Sequence, residues 1–100
     1  MLLKYITLIQ NNQFIEAHSI LEHLWKEKKK SNPQEAKILK GFINGATALA
    51  LKIKGKDAGA IRVWGTYEKY EPLINEIKSE NTTIYKKMQK TLLEKKTVIL

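Results

Sequence analysis

One predicted helix carries the side chains best suited to chemistry. His18 and Glu22 are four residues apart in the segment EAHSILEHLW, residues 16–25, so on a helix they lie side by side on one face. An imidazole and a carboxylate at this spacing can bind a metal ion, or the carboxylate can orient the imidazole as a base. Both border an apolar stripe that includes Trp25. The pair is a candidate polar site at a helix interface, with either a chemical or a purely structural role.

A complete metal site is not indicated. The other histidine, His23, projects about 140° away from His18 on a helical wheel, and the apolar helix that follows offers Asn44 but no acid. The chain has no cysteine, which excludes thiolate ligands and a cysteine nucleophile. Neither a G-x-S-x-G turn nor a glycine-rich phosphate loop occurs. We predict no metal and no cofactor. A metal-assisted or hydrolytic enzyme that uses His18 and Glu22 stays open as the alternative function.

Arg62 is the single arginine in a chain that has 18 basic residues. A position that requires arginine and not lysine suggests a contact in which a planar guanidinium donates several hydrogen bonds. Glu22, at the edge of the apolar stripe, needs a partner if it is partly buried. We therefore predict that Arg62 pairs with Glu22 in a cleft between the second and fourth helices, with His18 in the same group. The candidate polar cluster is His18, Glu22, Trp25, Asn44 and Arg62.

The segment Ile38–Ile53 must organise the helices that hold this cluster. At 100° per residue its large apolar side chains share one wide face, and no charge occurs between Lys40 and Lys52. Such a helix is the centre of a small bundle. Its glycines suggest close approach of neighbouring helices. Asn32, Pro33 and Glu35 form a capping box at its start, and Gly55 is suited to end it. The expected buried face contains Ile38, Phe42, Ala46, Leu49 and Ile53.

The remaining pattern predicts an all-α fold: one domain, residues 1–100, in a compact bundle of about five helices built from antiparallel helical hairpins. Gly59 and Gly65 suggest close packing along the fourth helix. Expected apolar stripes are Ala60, Ile61, Trp64 and Tyr67 on the fourth helix, and Ile84, Met88, Leu92 and Val98 on the last. The other expected segments are helices at 2–9 and 14–29, a fourth helix from Asp57 that Glu71-Pro72 interrupts, a helical continuation at 73–78, a turn at 79–83, and the last helix.

The distribution of charge limits the classes of partner that the protein is expected to bind. The formal charge is +8, but 17 of the 18 basic residues are lysines, which lack the bidentate fork that arginine offers to phosphate and guanine. A solvated lysine face is favoured over nucleic-acid binding, and weak binding of nucleic acid through this surface is the second alternative function. Lys4 interrupts the apolar start, so no signal peptide is predicted. The central apolar stretch is too short to span a membrane. We expect a cytoplasmic protein with no membrane partner.

Three motifs together resemble the bacterial and archaeal family of domains of unknown function numbered 309. They are FIEAHSILEHLW, GFINGATAL and GKDAGAIR, and the similarity covers roughly residues 14–72. Ser19 stands where the family has a second acid after the histidine, and Asn44 stands where glutamine is usual. The resemblance implies a compact all-helical domain with no established activity. The positions that match the family pattern are Glu16, His18, Glu22, Trp25, Gly41, Gly59 and Ala60.

These observations lead to one functional hypothesis. We interpret the chain as a small helical binding or interaction module, because it lacks a complete catalytic set and has small-residue seams suited to partner helices. Whether it is an enzyme stays open. The partner is a small ligand or a protein, and homo-oligomer formation is compatible with the sequence.

Overall fold

The computed structural model describes residues 1–99, which are almost entirely helical. None of the helices in this range has the length and hydrophobicity needed to span a lipid bilayer. The all-α prediction is confirmed. The elements are α1 (Leu2–Gln10), α2 (Phe14–Ser31), α3 (Pro33–Ile53), α4 (Asp57–Tyr70), a 3-10 helix (Glu71–Asn75) and α5 (Thr82–Ile99).

Helix α3 is the centre of the bundle, as its apolar face predicts. Phe42 is 1% exposed and Leu49 is 0% exposed. The helix packs against α2 and α4 along its length, and against α5 and the 3-10 helix. Phe42 lies in an aromatic cluster with Tyr5, Tyr67 and Tyr85, whose ring centroids are 5.8, 5.8 and 6.0 Å away. The hydroxyl of Tyr5 donates a hydrogen bond to the Phe42 carbonyl at 2.8 Å, which ties α1 to the central helix.

Two glycines of α3 lie at its closest contacts. A Cβ atom at Gly41 would be 3.0 Å from the Tyr70 Cβ, and one at Gly45 would be 2.7 Å from Leu92 Cδ1. These positions confirm the predicted close approach. The same interpretation is wrong for Gly65, where an added Cβ would meet no side chain or neighbouring element within 4 Å. A Cβ atom added at Gly59 would lie 3.6 Å from Leu51 Cδ1, which is an ordinary van der Waals distance.

The carboxylate of Glu35 is the buried charge of this fold, with 3% exposure. Its Oε1 accepts hydrogen bonds from Ser79 Oγ at 3.2 Å, Asn81 Nδ2 at 2.9 Å and the Tyr85 hydroxyl at 2.5 Å. Its Oε2 accepts from Asn32 Nδ2 at 3.2 Å and lies 3.7 Å from Lys28 Nζ. The Glu35 backbone N–H donates to Asn32 Oδ1, which confirms the predicted N-cap. The reciprocal bond of a capping box is absent, because the Asn32 backbone N–H donates to the Lys28 carbonyl at 2.7 Å.

This network also determines the ionisation of its members. Burial alone would raise the pKa of Glu35, but hydrogen bonds from Asn81 and Tyr85 and the charge of Lys28 outweigh it, and the pKa is lowered. The pKa of Tyr85 is raised by burial and by its hydrogen bond to the Glu35 carboxylate. Glu35 is therefore a carboxylate at neutral pH and Tyr85 a phenol that donates to it.

Several predicted details differ from the structure. The expected helix at 73–78 is a 3-10 helix that ends at Asn75, and the chain after it is irregular because Ser79 and Asn81 reach back to Glu35. Three side chains expected in the core are exposed at the ends or outer faces of their helices: Ile53 by 57%, Ile61 by 73% and Val98 by 82%.

Substitution of the α4 glycine that meets no neighbour should stabilise the fold. We expect Gly65→Ala to raise the free energy of unfolding by about 0.5–1 kcal/mol, since alanine has the higher helix propensity and the site is open. Gly45→Ala has the same propensity gain but forces buried Leu92 to move, so we expect a net loss of about 1–2 kcal/mol. Urea denaturation measures both, and equal effects of the two changes would contradict this packing.

Loss of the Glu35 charge should change how stability depends on pH. The folded-state pKa lies below the ordinary 4.5, so protons bind the unfolded chain first and wild-type stability falls as pH drops below that value. We expect Glu35→Gln to lower the free energy of unfolding by roughly 2 kcal/mol at neutral pH and to flatten its decline below about pH 5. Exposed Glu80 is in the adjacent loop, and Glu80→Gln is the matched control. An equally steep acid decline in Glu35→Gln would contradict the network.

Candidate functional site

His18 and Glu22 lie together at the interface of α2 and α3. The Nε2 atom of His18 is 3.5 Å from Glu22 Oε2, and its Nδ1 atom is 2.9 Å from the Thr47 hydroxyl oxygen. The His18 side chain is 34% exposed and that of Glu22 48% exposed. Sequence reasoning does not find Thr47 as a site residue. Its only signal in the sequence is a hydroxyl in the middle of the otherwise apolar segment GATAL.

The hydrogen bonds indicate how the imidazole of His18 is oriented. The Thr47 hydroxyl donates to the Ile43 carbonyl of its own helix at 3.0 Å. With its one proton on the Ile43 carbonyl, the hydroxyl can only accept from His18, and in that arrangement Nδ1 carries the imidazole proton. In this arrangement Nε2 donates to the Glu22 carboxylate only in the imidazolium form, because the neutral tautomer presents a lone pair to the carboxylate. Thr47 thus positions the ring of His18.

Arg62 does not join this pair, and the predicted Arg62–Glu22 ion pair is wrong. The arginine is on the exposed face of α4, and within residues 1–99 no ion pair links it to Glu22. Glu22 is half exposed and keeps much of its hydration, so its charge does not require a guanidinium. The buried acid that does require partners is Glu35.

Trp25 and Asn44 also lie apart from the His18–Glu22 contact. The ring of Trp25 has Lys29 Nζ at 4.7 Å and Lys40 Nζ at 4.9 Å from its centroid. The Asn44 amide donates to the Lys40 carbonyl within α3 at 2.8 Å. The structure therefore brings two of the five predicted cluster residues together.

The surroundings of His18 limit its chemistry. Among residues 1–99, no three or more His, Cys, Asp or Glu side chains form a group that could hold a metal ion. The adjoining depression is about 140 Å³ and is lined by Phe14, Ile15 and Leu51 among others. A base at Nε2 would therefore act at the rim of a small apolar depression. The Thr47 hydroxyl contacts His18 Nδ1 and the Ile43 carbonyl, so it holds the imidazole ring in position.

A larger concave surface lies between α4 and α5, which both pack on α3. Two adjoining depressions of about 430 and 330 Å³ share Trp64, Glu68 and Lys96. We call this surface the α4–α5 groove. Its floor is Trp64, which is 6% exposed and has Lys96 Nζ at 5.0 Å from its ring centroid.

The two walls of the α4–α5 groove carry opposite charge. Glu68 and Glu71 line the α4 side, whereas Lys86, Lys90 and Lys96 line the α5 side. In the described part of the chain, no ion pair crosses the groove. Burial, followed by the charges of Glu71 and Glu68, raises the pKa of Tyr67, which stays a neutral phenol. The groove therefore has an apolar floor between an acidic and a basic wall, and the Lys52–Asp57 ion pair also lines it.

The tautomer of His18 provides a test of this geometry. At a pH where the imidazole is neutral, we expect His18 to be protonated on Nδ1, because Thr47 accepts from that nitrogen. Two-bond ¹H–¹⁵N correlation spectra distinguish the tautomers, and exposed His23 on the same helix is the internal control. Thr47→Val should remove the preference at His18 and leave His23 unchanged. A His18 protonated on Nε2 in the wild-type protein would contradict this assignment.

Comparison with known protein families gives a match over the first part of the chain. Residues 2–63, from α1 into α4, match the family described as a domain of unknown function, DUF309. This range contains His18, Glu22 and Thr47, but most of the α4–α5 groove lies beyond it. No curated protein and no solved structure matches the chain. Since the match covers more than half of the residues, the chain belongs to the DUF309 family.

Proposed function

We propose that this protein is a helical interaction module and that it binds a second copy of itself through the α4–α5 groove. The observation that carries this proposal is the groove itself, an apolar floor at Trp64 between walls of opposite charge. Tryptophan is enriched among the side chains that dominate binding energy at protein interfaces. A cytoplasmic location remains a prediction from the sequence.

The charges of the groove are self-complementary. In a two-fold symmetric dimer, each surface element of one copy meets the corresponding surface of the other. An antiparallel arrangement places Glu68 and Glu71 of one copy against Lys86 and Lys90 of its partner, and the reverse contact follows by symmetry. The pairs that one chain leaves open across its groove would then form between chains.

Exposed apolar side chains near the groove support the same partner. Ile61 at its α4 side is 73% exposed, and Leu93 at its α5 side is 56% exposed. Burial of these two side chains in a dimer interface would favour association, by roughly 25 cal/mol for each Å² of apolar surface that is buried. Ile61 and Leu93 are therefore suited to cover the Trp64 floor of the partner copy.

The enzymatic alternative rests on a different site and has less support. The His18–Glu22 pair resembles an oriented base, with a hydroxyl at 2.9 Å. That hydroxyl belongs to a helical threonine that donates to its own helix, and the depression beside it is small. The geometry agrees better with a polar contact that fixes the register of α2 against α3.

A charge-swap experiment tests the dimer. Variant one carries Glu68→Lys and Glu71→Lys, and variant two carries Lys86→Glu and Lys90→Glu. We expect wild-type protein to dimerise with rising concentration in sedimentation velocity. Each variant alone should dimerise at least about tenfold more weakly, because like charges then face each other. An equimolar mixture of the two should form a heterodimer.

A control variant and two possible results decide whether the proposed dimer forms. Glu80→Lys with Lys78→Glu, which changes exposed residues outside the groove, is the control and should dimerise as wild type. A wild-type protein that stays monomeric from micromolar to millimolar concentration would overturn the proposal. So would a mixture that associates no better than the separate variants. Circular dichroism establishes that each variant is folded.

A further inference from the structure

A second surface, on α2 and α3, combines an aromatic ring with lysines. Trp25 is half-buried between the two helices, and its ring has the ammonium groups of Lys29 and Lys40 at 4.7 and 4.9 Å from the centroid. Lys37 lies one turn before Lys40 on the same face of α3 and is exposed. We call Trp25, Lys29, Lys37 and Lys40 the basic–aromatic patch.

The surroundings of the patch leave it strongly positive. Residues 23–40 contain six lysines and two glutamates. One of these acids, Glu35, is buried and paired with Lys28, and the other, Glu27, projects about 160° away from Trp25 on the α2 wheel. Glu22, one turn before Trp25, is the acid at the border and contacts His18. Lys29, Lys37 and Lys40 are therefore available to a polyanion.

We propose that the basic–aromatic patch binds single-stranded nucleic acid without sequence preference. A base stacks on the ring of Trp25, and the lysines that now cover the ring contact the flanking phosphates. Aromatic rings that accept bases, surrounded by cations that follow the backbone, are the usual means of binding single strands. The patch uses lysine, a point charge suited to phosphate, and does not require the fork by which arginine reads guanine.

The patch fits a single strand better than a duplex or a membrane. Duplex bases are already stacked on each other, so the face of Trp25 would gain no partner from them. A membrane-binding helix needs several exposed apolar side chains to enter the lipid, and the patch offers the half-buried ring of Trp25 alone. The large apolar side chains exposed in residues 1–99 lie elsewhere, at Met1, Leu3, Ile15, Ile53, Ile61, Leu93 and Val98.

Fluorescence anisotropy with labelled oligo(dT) and oligo(U) tests the proposal. We expect binding at low salt with a slope of log K against log salt of about −2, since three lysines contact phosphates. The double variant Lys29→Gln, Lys40→Gln should reduce the magnitude of this slope by about 1.4. Trp25→Leu should weaken binding about tenfold and leave the slope unchanged. A duplex of the same length should bind more weakly than the single strand.

Matched variants decide between this site and general attraction to a basic protein. Lys54→Gln, Lys56→Gln removes the same charge just beyond the far end of α3, about 20 Å from Lys40, and should leave binding unchanged. Equal losses in the two double variants would overturn the proposal, as would binding of anionic phosphatidylserine vesicles in preference to oligonucleotides. Because the slope is read from the lysine variants, the test holds even if Trp25→Leu is poorly folded. The patch shares no residue with the α4–α5 groove, so dimer variants do not affect this result.

Discussion

The carboxylate of Glu35 connects three parts of the fold. It lies in the first turn of α3, receives donors from the segment that begins α5 and is compensated by Lys28 near the end of α2. A buried charge is costly unless it is paired and hydrogen-bonded, so these segments are constrained to meet at one point. The protein groups occupy both carboxylate oxygens, which argues for a structural role and not a ligand site.

Burial of α3 explains why the candidate binding surfaces lie where they do. A helix that is covered on most sides offers few positions for exposed polar groups, and its neighbours carry them instead. Trp25 and Lys40 meet where α2 borders α3, and Trp64 lies in the α4–α5 groove. Both tryptophans keep part of the ring beside a lysine, which is the arrangement expected of amphipathic side chains at the edge of a core.

Periodicity and capping determine what can be predicted from this sequence, and long-range contacts determine what cannot. The burial of Phe42 and Leu49 and the start of α3 at Pro33 follow from local spacing. The partners that donate to Glu35 Oε1 are 44 to 50 residues away, a distance at which no local pattern operates. The expectation of a buried partner for Arg62 rests on its rarity, and rarity carries no information about position.

The separation between Glu35 and Tyr85 also matters while the chain is being made. Helices α2 and α3 are adjacent in sequence, so their hairpin can form as soon as both have left the ribosome, because local contacts form fastest. The carboxylate at the start of α3 then stays without Ser79, Asn81 and Tyr85 until the segment 44 to 50 residues later has also left the ribosome. Until then, the end of the bundle around Glu35 lacks the hydrogen bonds that Ser79, Asn81 and Tyr85 supply in the folded protein.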